Sequence, residues 1–576
     1  MTDPSFLNYM DIDTRVLVVT APEWNPNQLT IGPIFKRFRA FMEEITITQS
    51  GVPAIGENSF FGLRLLRKLD LSHNLLTNLY QNHFKGLRNL RHLDLSHNRI
   101  GAVASGAFQF TPQLRSLNLS DNSLPELVPS MFLRLSELRQ LDLSGNSPAG
   151  LDPDVFKDVS ELRELRCARC DLTKISPRFY QMVPRLEVLD ISDNHLSTLR
   201  AGEYEQLRHL KRLLLAGNHF SSVDSLPFSG HRLHELDLGR NQLSTLPAGV
   251  FGDVTVRRLD LSYNGLSSLT AAVLRPLGDH LHWLSLAGND MAPRDVEAVG
   301  GGLPRLQHLN LADMGVLSLS DSLWASLPKL VTLNMSANYL LSLSEHMLRP
   351  LRRLRQLDVS DNQLSALSVP VARQLERLEE VRLHGNPWAC DACRVRPLLA
   401  WLRAAEYAYG CVGPSPASCL RCAQPPRMAG VEVQQLNETV LPPCGEAAEE
   451  SPAEWCRRQR EAGGGATGEE ARHERYCAAV MTHSPDAAAS SQLGVIVGCV
   501  LALLLLTAVI LALLVYNRHS AIYYTHEDER DDADVYQKAD VNKNKKRVRI
   551  ATIDEMNGRD ESPFVDDERL GEFQNG

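Results

Sequence analysis

Catalytic signatures are missing from this 576-residue chain. There is no HExxH, no GxSxG, no P-loop, no GxGxxG after a strand and no kinase pattern, which leaves no catalytic, cofactor-binding or metal-binding residues to expect. An enzyme is not the expected class. Excess basic charge is also lacking: 60 Lys and Arg face 69 Asp and Glu, for a formal charge of −9. No basic domain stands out, so nucleic acid is not an expected partner. Glycine (36) and proline (31) stay near average usage, which excludes collagen and wholesale disorder. Cysteine is absent from residues 1–41 and from 517–576. All but one of the 11 cysteines precede residue 494, the distribution expected when disulfides form outside the cytosol.

The opening MTDPSFLNYMDIDTRV has no basic start followed by an apolar run, so no secretory signal is visible. The one long apolar run is 494–516, GVIVGCVLALLLLTAVILALLVY, without a charge. As a helix it would be about 35 Å long, enough to cross a hydrocarbon core of about 30 Å. Arg518 follows at once, with Lys543, Lys545, Lys546, Arg547 and Arg549 further on, whereas the preceding HSPDAAASSQL has neither Lys nor Arg. The positive-inside rule then puts the C-terminus in the cytoplasm and the N-terminus outside. The expectation is a single-pass protein of the plasma membrane, held by the lipid bilayer, whose true start is missing.

One pattern recurs before that span: leucine, two variable residues, leucine, variable, leucine, two variable, asparagine. It reads LRKLDLSHN at 66–74, LRHLDLSHN at 90–98, LRSLNLSDN at 114–122 and LRQLDLSGN at 138–146. The ninth position recurs every 23 to 25 residues from Ser50 to Asn386, making about 15 units, with Cys170 and Met314 among the exceptions to asparagine. Such a period predicts a solenoid. Alternating leucines place one face of a short strand inward, and a constant period stacks the strands into one parallel sheet. The buried asparagine amide must be satisfied by backbone groups of adjacent turns. Ten residues after it comes an aromatic, from Phe60 and Phe84 to Phe228 and Phe251, predicting a second apolar column on the convex side. Beyond Phe251 that column weakens to Leu274, Val299, Trp324, Leu348 and Ala372, so the later repeats should differ on that side.

Over residues 42–444 the sequence resembles the extracellular leucine-rich-repeat family. The tract NPWACDAC followed by PLLAWL, with later cysteines ending at Cys444, is similar to that family's C-terminal cysteine cap. The full layout looks like insect cell-surface adhesion proteins of the capricious and tartan type. The implied fold is an α/β solenoid: a leucine-rich-repeat horseshoe with a parallel concave sheet, a cysteine-rich C-terminal cap, a single transmembrane helix and a disordered tail. The expected divisions are 1–41, an N-terminal flank and truncated cap; 42–386, the repeats; 387–444, the cap; 445–493, a stalk; 494–516, the transmembrane helix; and 517–576, the cytoplasmic tail.

Cys390, Cys393, Cys411, Cys419, Cys422 and Cys444 form the cap cluster, and six cysteines allow fifteen connectivities. The resemblance implies Cys390 with Cys422 and Cys393 with Cys444, leaving Cys411 for Cys419. Zinc between CDAC and CLRC is the lesser alternative. Cys456 and Cys477 in the stalk are candidates to pair with each other. Cys167 and Cys170 occupy the sixth and ninth positions of one repeat and read as buried structural thiols.

Most outward strand positions read as a solvated, self-paired charged face. Leu214 and Trp283 fit that poorly, and Tyr263 is taken to lie beside Trp283. Apolar and aromatic residues among Arg212, Asp237, Arg258 and Asp260 have the composition of a binding hot spot. These seven residues, in repeats 8–11, are the candidate partner surface. Sequons stand at Asn437, in the looser cap, and at Asn118 and Asn334, on outward strand positions where acceptors are poorer. In the tail, Tyr523, Tyr524 and Tyr536 lie in acidic surroundings and are candidate phosphorylation sites that would dock a cytoplasmic adaptor. The expected function is cell-surface recognition or adhesion, the ectodomain binding an extracellular or cell-surface protein. The alternative is an innate-immunity-type ligand-binding receptor or co-receptor that signals through a partner.

Overall fold

The computed structural model describes residues 7, 9–21, 34–223, 228–404, 419–444, 457 and 477. The apolar run 494–516, the three tail tyrosines, Cys411 and Cys456 lie outside them. Among the described residues no helix is long and apolar enough to cross a membrane.

Each repeat contributes one short strand, most of them three residues long, because only its central leucine needs to face inward. Arg212–Leu214 is typical: Leu213 is fully buried while Arg212 and Leu214 are half-buried on the other face. These strands pair in parallel, in sequence order, into a 16-stranded sheet. The sheet begins one strand before the repeats. Val16–Thr20 pairs in parallel with Glu44–Thr48, so the N-terminal flank supplies a strand of its own. No leucine pattern marks that strand, only VLVV with Leu17 buried.

Behind the sheet runs the asparagine ladder, and its bonding follows from burial. Asn98 accepts the N–H of Leu76 at 3.0 Å and donates to the carbonyls of Leu71, Leu95 and Ser96 at 3.0–3.1 Å. All four groups therefore belong to the turn it closes or the one before it. Where the ninth position is not asparagine, the next asparagine takes up the extra donor. Asn74 accepts from Ser50 and Val52, Asn194 from Cys170 and Leu172, and Asn338 from Met314 and Val316, all at 2.9–3.1 Å. The Oδ1 of that next asparagine then accepts two N–H groups instead of one.

On the convex side the aromatic column is buried throughout, with pairs such as Phe84 and Phe108 stacked at 5.8 Å between centroids. From Ala271 onward, where the column loses its regular Phe and Tyr, every convex turn is helical: Ala271–Leu274, Pro293–Gly300, Asp321–Ser326, Glu345–Leu348 and Val369–Leu375. A helical turn presents two adjacent apolar residues inward, as Val273 and Leu274 do, and one earlier repeat does so with Phe179 and Tyr180 in Pro177–Met182.

The C-terminal cap packs Trp388–Ala389 in parallel with Cys422–Gln424 and lays the helix Arg396–Ala404 over the last repeat. Disulfides join Cys390 to Cys422 and Cys393 to Cys444, and Cys419 and Cys477 are also disulfide-bonded. The zinc alternative is thereby set aside, since sulfurs held in disulfides offer no thiolate ligands. The cluster of Asp391, Cys393 and Cys444 fails as a metal site for the same reason. One expectation is corrected: Cys167 and Cys170 are not free thiols but a disulfide. Both point into the core with no exposure, and their Cα atoms are 5.5 Å apart, within bonding range.

Candidate partner-binding face

The outward residues of the sheet fall into columns because the strands are in register. One column runs Arg212, Glu235, Arg258, Trp283 and His308; the next runs Leu214, Asp237, Asp260, Ser285 and Asn310. The structure thus brings six of the seven candidate residues onto four adjacent strands.

The first column is a connected chain. Arg212 Nε donates to Glu235 at 2.7 Å, and Arg258 Nε reaches the other oxygen of that carboxylate at 3.2 Å. The Arg258 guanidinium then lies over the Trp283 ring, 3.4 Å from its centroid. Such a contact is worth about 0.5–1 kcal/mol at an exposed site, enough to hold the indole in one orientation on the surface. Beyond Trp283 a groove of about 260 Å³ continues along the concave face past His308 and Thr332 to Arg382. His308 Nδ1 and Thr332 Oγ1 are 2.7 Å apart, and burial, with Arg258 and His282 adding repulsion, holds the imidazole below its usual pKa. Its outward positions were visible in the repeat, but nothing in single residue types marked them off from the rest of the face.

Tyr263 is the exception among the seven. Trp283 is in register with Arg258, whereas Tyr263 comes after the strand Thr255–Asp260, in the turn, with φ of 50°. Sharing a repeat boundary does not place two side chains in one column, and the expected neighbour of Trp283 sits on the strand-exit rim instead. There its ring lies over Gly288, 2.3 Å from where a Cβ would be, so only glycine fits beneath it.

The acidic column is mostly committed to its own turns. Asp70, Asp94, Asp190, Asp260 and Asp358 each accept both the N–H and the hydroxyl of a serine two residues on, at 2.5–3.1 Å. Asp237 has glycine at that place and keeps only the Gly239 N–H, at 2.9 Å. Burial pushes its carboxyl from 3.8 up to about 6, with Asp260 and Glu235 adding to the rise and Gly239 and Arg240 opposing it. The folded state therefore binds this proton more tightly than the unfolded chain does. Ionisation above about pH 6 destabilises the fold, and that penalty vanishes below the unfolded value. A shift of about two units corresponds to about 3 kcal/mol, reduced to about 1–2 by the carboxyl's remaining contact with water. Asp237→Asn should therefore raise stability at neutral pH by about that amount and by nothing near pH 3.5. Urea melts at the two pH values check this, and a gain of equal size at both would refute the electrostatic account.

The sequons fall in different settings. Asn118 and Asn334 are half-buried strand residues whose Oδ1 atoms accept the N–H of Ser120 and Ser336 at 3.0 and 2.9 Å. Asn437 is exposed ahead of the short turn Glu438–Val440, with Thr439 N–H and Oγ1 donating to it at 3.0 and 2.8 Å. We expect a glycan on Asn437; peptide mapping with enzymatic deglycosylation tests it, and a bare Asn437 on exported protein would contradict it.

Comparison with known proteins adds local likenesses. A 77-residue stretch is 38% identical to human Reticulon-4 receptor-like 2, covering 13% of this chain and 16% of that protein. Its rat counterpart is 39% identical over 64 residues, 11% of this chain and 13% of that protein. The chain thus spans about a sixth or less of the length of these curated relatives. Among solved structures, a leucine-rich-repeat protein of Leptospira interrogans is similar with a TM-score of 0.54 and 26% identity, over 67% of this chain and 96% of that one. Toll of Drosophila, solved with Spatzle, shares the fold at a TM-score of 0.52 and 22% identity, over 76% of this chain and 59% of that one. The leucine rich repeat pattern itself matches residues 42–100, 88–147, 160–220, 231–291 and 304–364, just over half of the chain, and with the stacked sheet and asparagine ladder it establishes that the chain belongs to the leucine-rich-repeat family.

Proposed function

We propose that the protein is a cell-surface recognition and adhesion molecule that binds another protein through its concave face. In this reading it crosses the plasma membrane once, at 494–516, with the N-terminus outside, in the layout of the capricious and tartan type. The observation that carries the binding reading is the column from Arg212 to Trp283. An indole held by a guanidinium, beside half-buried Leu214 and the destabilised carboxylate of Asp237, is a surface that a partner would relieve. A receptor-named relative and disulfides in both repeats and cap support an outward-facing protein. No enzymatic role is proposed.

Transfected cells that cluster with one another, or with cells that do not express the protein, are the expected result. If neither clusters while a soluble ligand binds, the innate-immunity-type receptor or co-receptor takes the place of adhesion. Trp283→Ala should weaken partner binding by about 1–2 kcal/mol while leaving the fold intact, because the truncated side chain lies outside the core. Titration calorimetry or surface plasmon resonance measures it, and unchanged affinity would remove Trp283 from the binding face.

A further inference from the structure

We infer that the strand-entry rim of the N-terminal repeats carries a binding site for a linear sulfated polysaccharide. The second position of the repeat is Arg67, Arg91, Arg115, Arg139 and Arg163 in five successive units. These arginines are in register: each N–H from Arg91 to Arg163 donates to the carbonyl of the arginine before it, at 2.8–2.9 Å. The row therefore advances by one strand spacing, about 4.8 Å, per guanidinium.

The row is not neutralised from within. Glu43 before it pairs with Arg15 at 3.8 Å, and Glu187 after it takes Arg163 at 3.3 Å and Lys211 at 2.6 Å. Between these ends, Arg67, Arg91 and Arg139 make no ion pair among the described residues, and Arg115 reaches only Glu137, at 4.0 Å. The Arg115 Nε is buried and makes no hydrogen bond. Nearby Asp70, Asp94 and Asp142 give an oxygen to their own turns, each accepting a serine N–H. Arg115, Arg139 and Arg163 also line a groove of about 270 Å³, whose two carboxylates are taken: Glu164 pairs with Arg166 at 2.5 Å, and Glu187 with Lys211 as well as Arg163. Like charges one strand apart repel, so an unneutralised row calls for an external chain of anions. The overall charge of −9 hides it.

Guanidinium forks match the paired oxygens of sulfate and phosphate alike. Three observations select a sulfated glycan. The row and the outward column beside it, Lys68, His92, Ser116, Gln140 and Glu164, contain no Phe, Tyr or Trp on which bases would stack. The row is a single file along one rim, which suits a linear polymer better than the plane of a membrane. The third rests on the extracellular reading above, since sulfated polysaccharides belong to that side; the charge argument does not depend on it.

The test uses the full chain in detergent and heparin immobilised on a sensor surface. Wild type should bind at physiological salt and lose affinity steeply as salt rises, by counterion release. The triple variant Arg91→Gln, Arg115→Gln, Arg139→Gln should bind at least about tenfold more weakly. A double variant at the same position further on, Arg257→Gln with Arg355→Gln, should stay within about twofold, because His282, Gln307 and Val331 separate the two so that they form no row, and Arg355 is already paired with Glu379. Equal loss in both variants, equal binding of desulfated heparin, or tighter binding of single-stranded RNA of matched charge would overturn the proposal. Should the triple variant fail to fold, phenylglyoxal footprinting of wild type decides. Heparin should protect Arg91, Arg115 and Arg139, and unprotected arginines refute the site. The cell-clustering assay is independent, so failure of either reading leaves the other standing.

Discussion

Replacing Asn194 by alanine should lower the stability of the surrounding repeats by about 3–5 kcal/mol, and by about 1 kcal/mol more than the same change at Asn98. The difference comes from what each amide closes. Asn194 donates to the carbonyls of Cys167, Ile191 and Ser192 at 2.8–3.0 Å and accepts from both Cys170 and Leu172. Asn98 accepts only from Leu76. Alanine leaves these buried groups without partners in a place 2% exposed, where water cannot substitute without opening the turn. Solenoids unfold in segments, so a single melting midpoint understates the effect. Hydrogen exchange at the amides of Cys170 and Leu172 reads it directly. Equal destabilisation by the two alanine variants would show that the doubled acceptor role carries no weight.

The repeat was legible because its period, leucines and asparagines are constraints that every unit must satisfy separately. Stacking at a constant rise forces the parallel sheet, and a buried amide forces its own hydrogen bonds. The change on the convex side was legible as well, since the regular aromatic column ends at Phe251 and helical turns become the rule from Ala271. Single features fared differently. Tyr263 looked adjacent to Trp283 in the string, but a side chain in a left-handed turn points away from the sheet columns. The Cys167–Cys170 bond depends on two inward-pointing positions coming within 5.5 Å, a distance that a leucine-for-cysteine reading does not consider. The strand Val16–Thr20 lacks the leucine pattern because an end strand needs fewer inward leucines, with Leu17 the one deeply buried. The arginine row was present at one position of five successive repeats, Arg67 to Arg163, yet net charge averages it away. Within the candidate face, residue types pointed to the Arg212–Trp283 column, whereas the groove beyond Trp283 required curvature and register to see.

Loss of the Cys390–Cys422 bond, as Cys390→Ser with Cys422→Ser, should destabilise the cap by about 3–4 kcal/mol, from the closure entropy of a loop of this length. The bond spans 32 residues and ties the segment after the last repeat to the strand Cys422–Gln424. Without it the cap depends on the Cys393–Cys444 bond, the disulfide of Cys419 and local polar contacts. Chief among those is Asp391, which accepts the N–H groups of Cys393 and Arg394 at 3.0 Å and pairs with the Arg394 guanidinium at 2.6 Å. Burial works to raise its carboxyl, but the Arg394 and Cys393 N–H groups and the Arg394 charge outweigh it and hold the pKa below the usual range. That contribution is present above the unfolded pKa and fades as pH falls through the folded one, so the variant cap should loosen further in acid. Beneath it lie Val381, Leu383 and Trp388, the last apolar layer of the solenoid, which an opened cap would expose. Limited proteolysis should therefore cut the variant within 387–444 while the repeats stay resistant, and hydrogen exchange should lose protection first at Leu399 in the cap helix. Cap amides as well protected in the variant as in wild type would mean that packing of Trp388 and Trp401, not the disulfide, holds the end of the sheet.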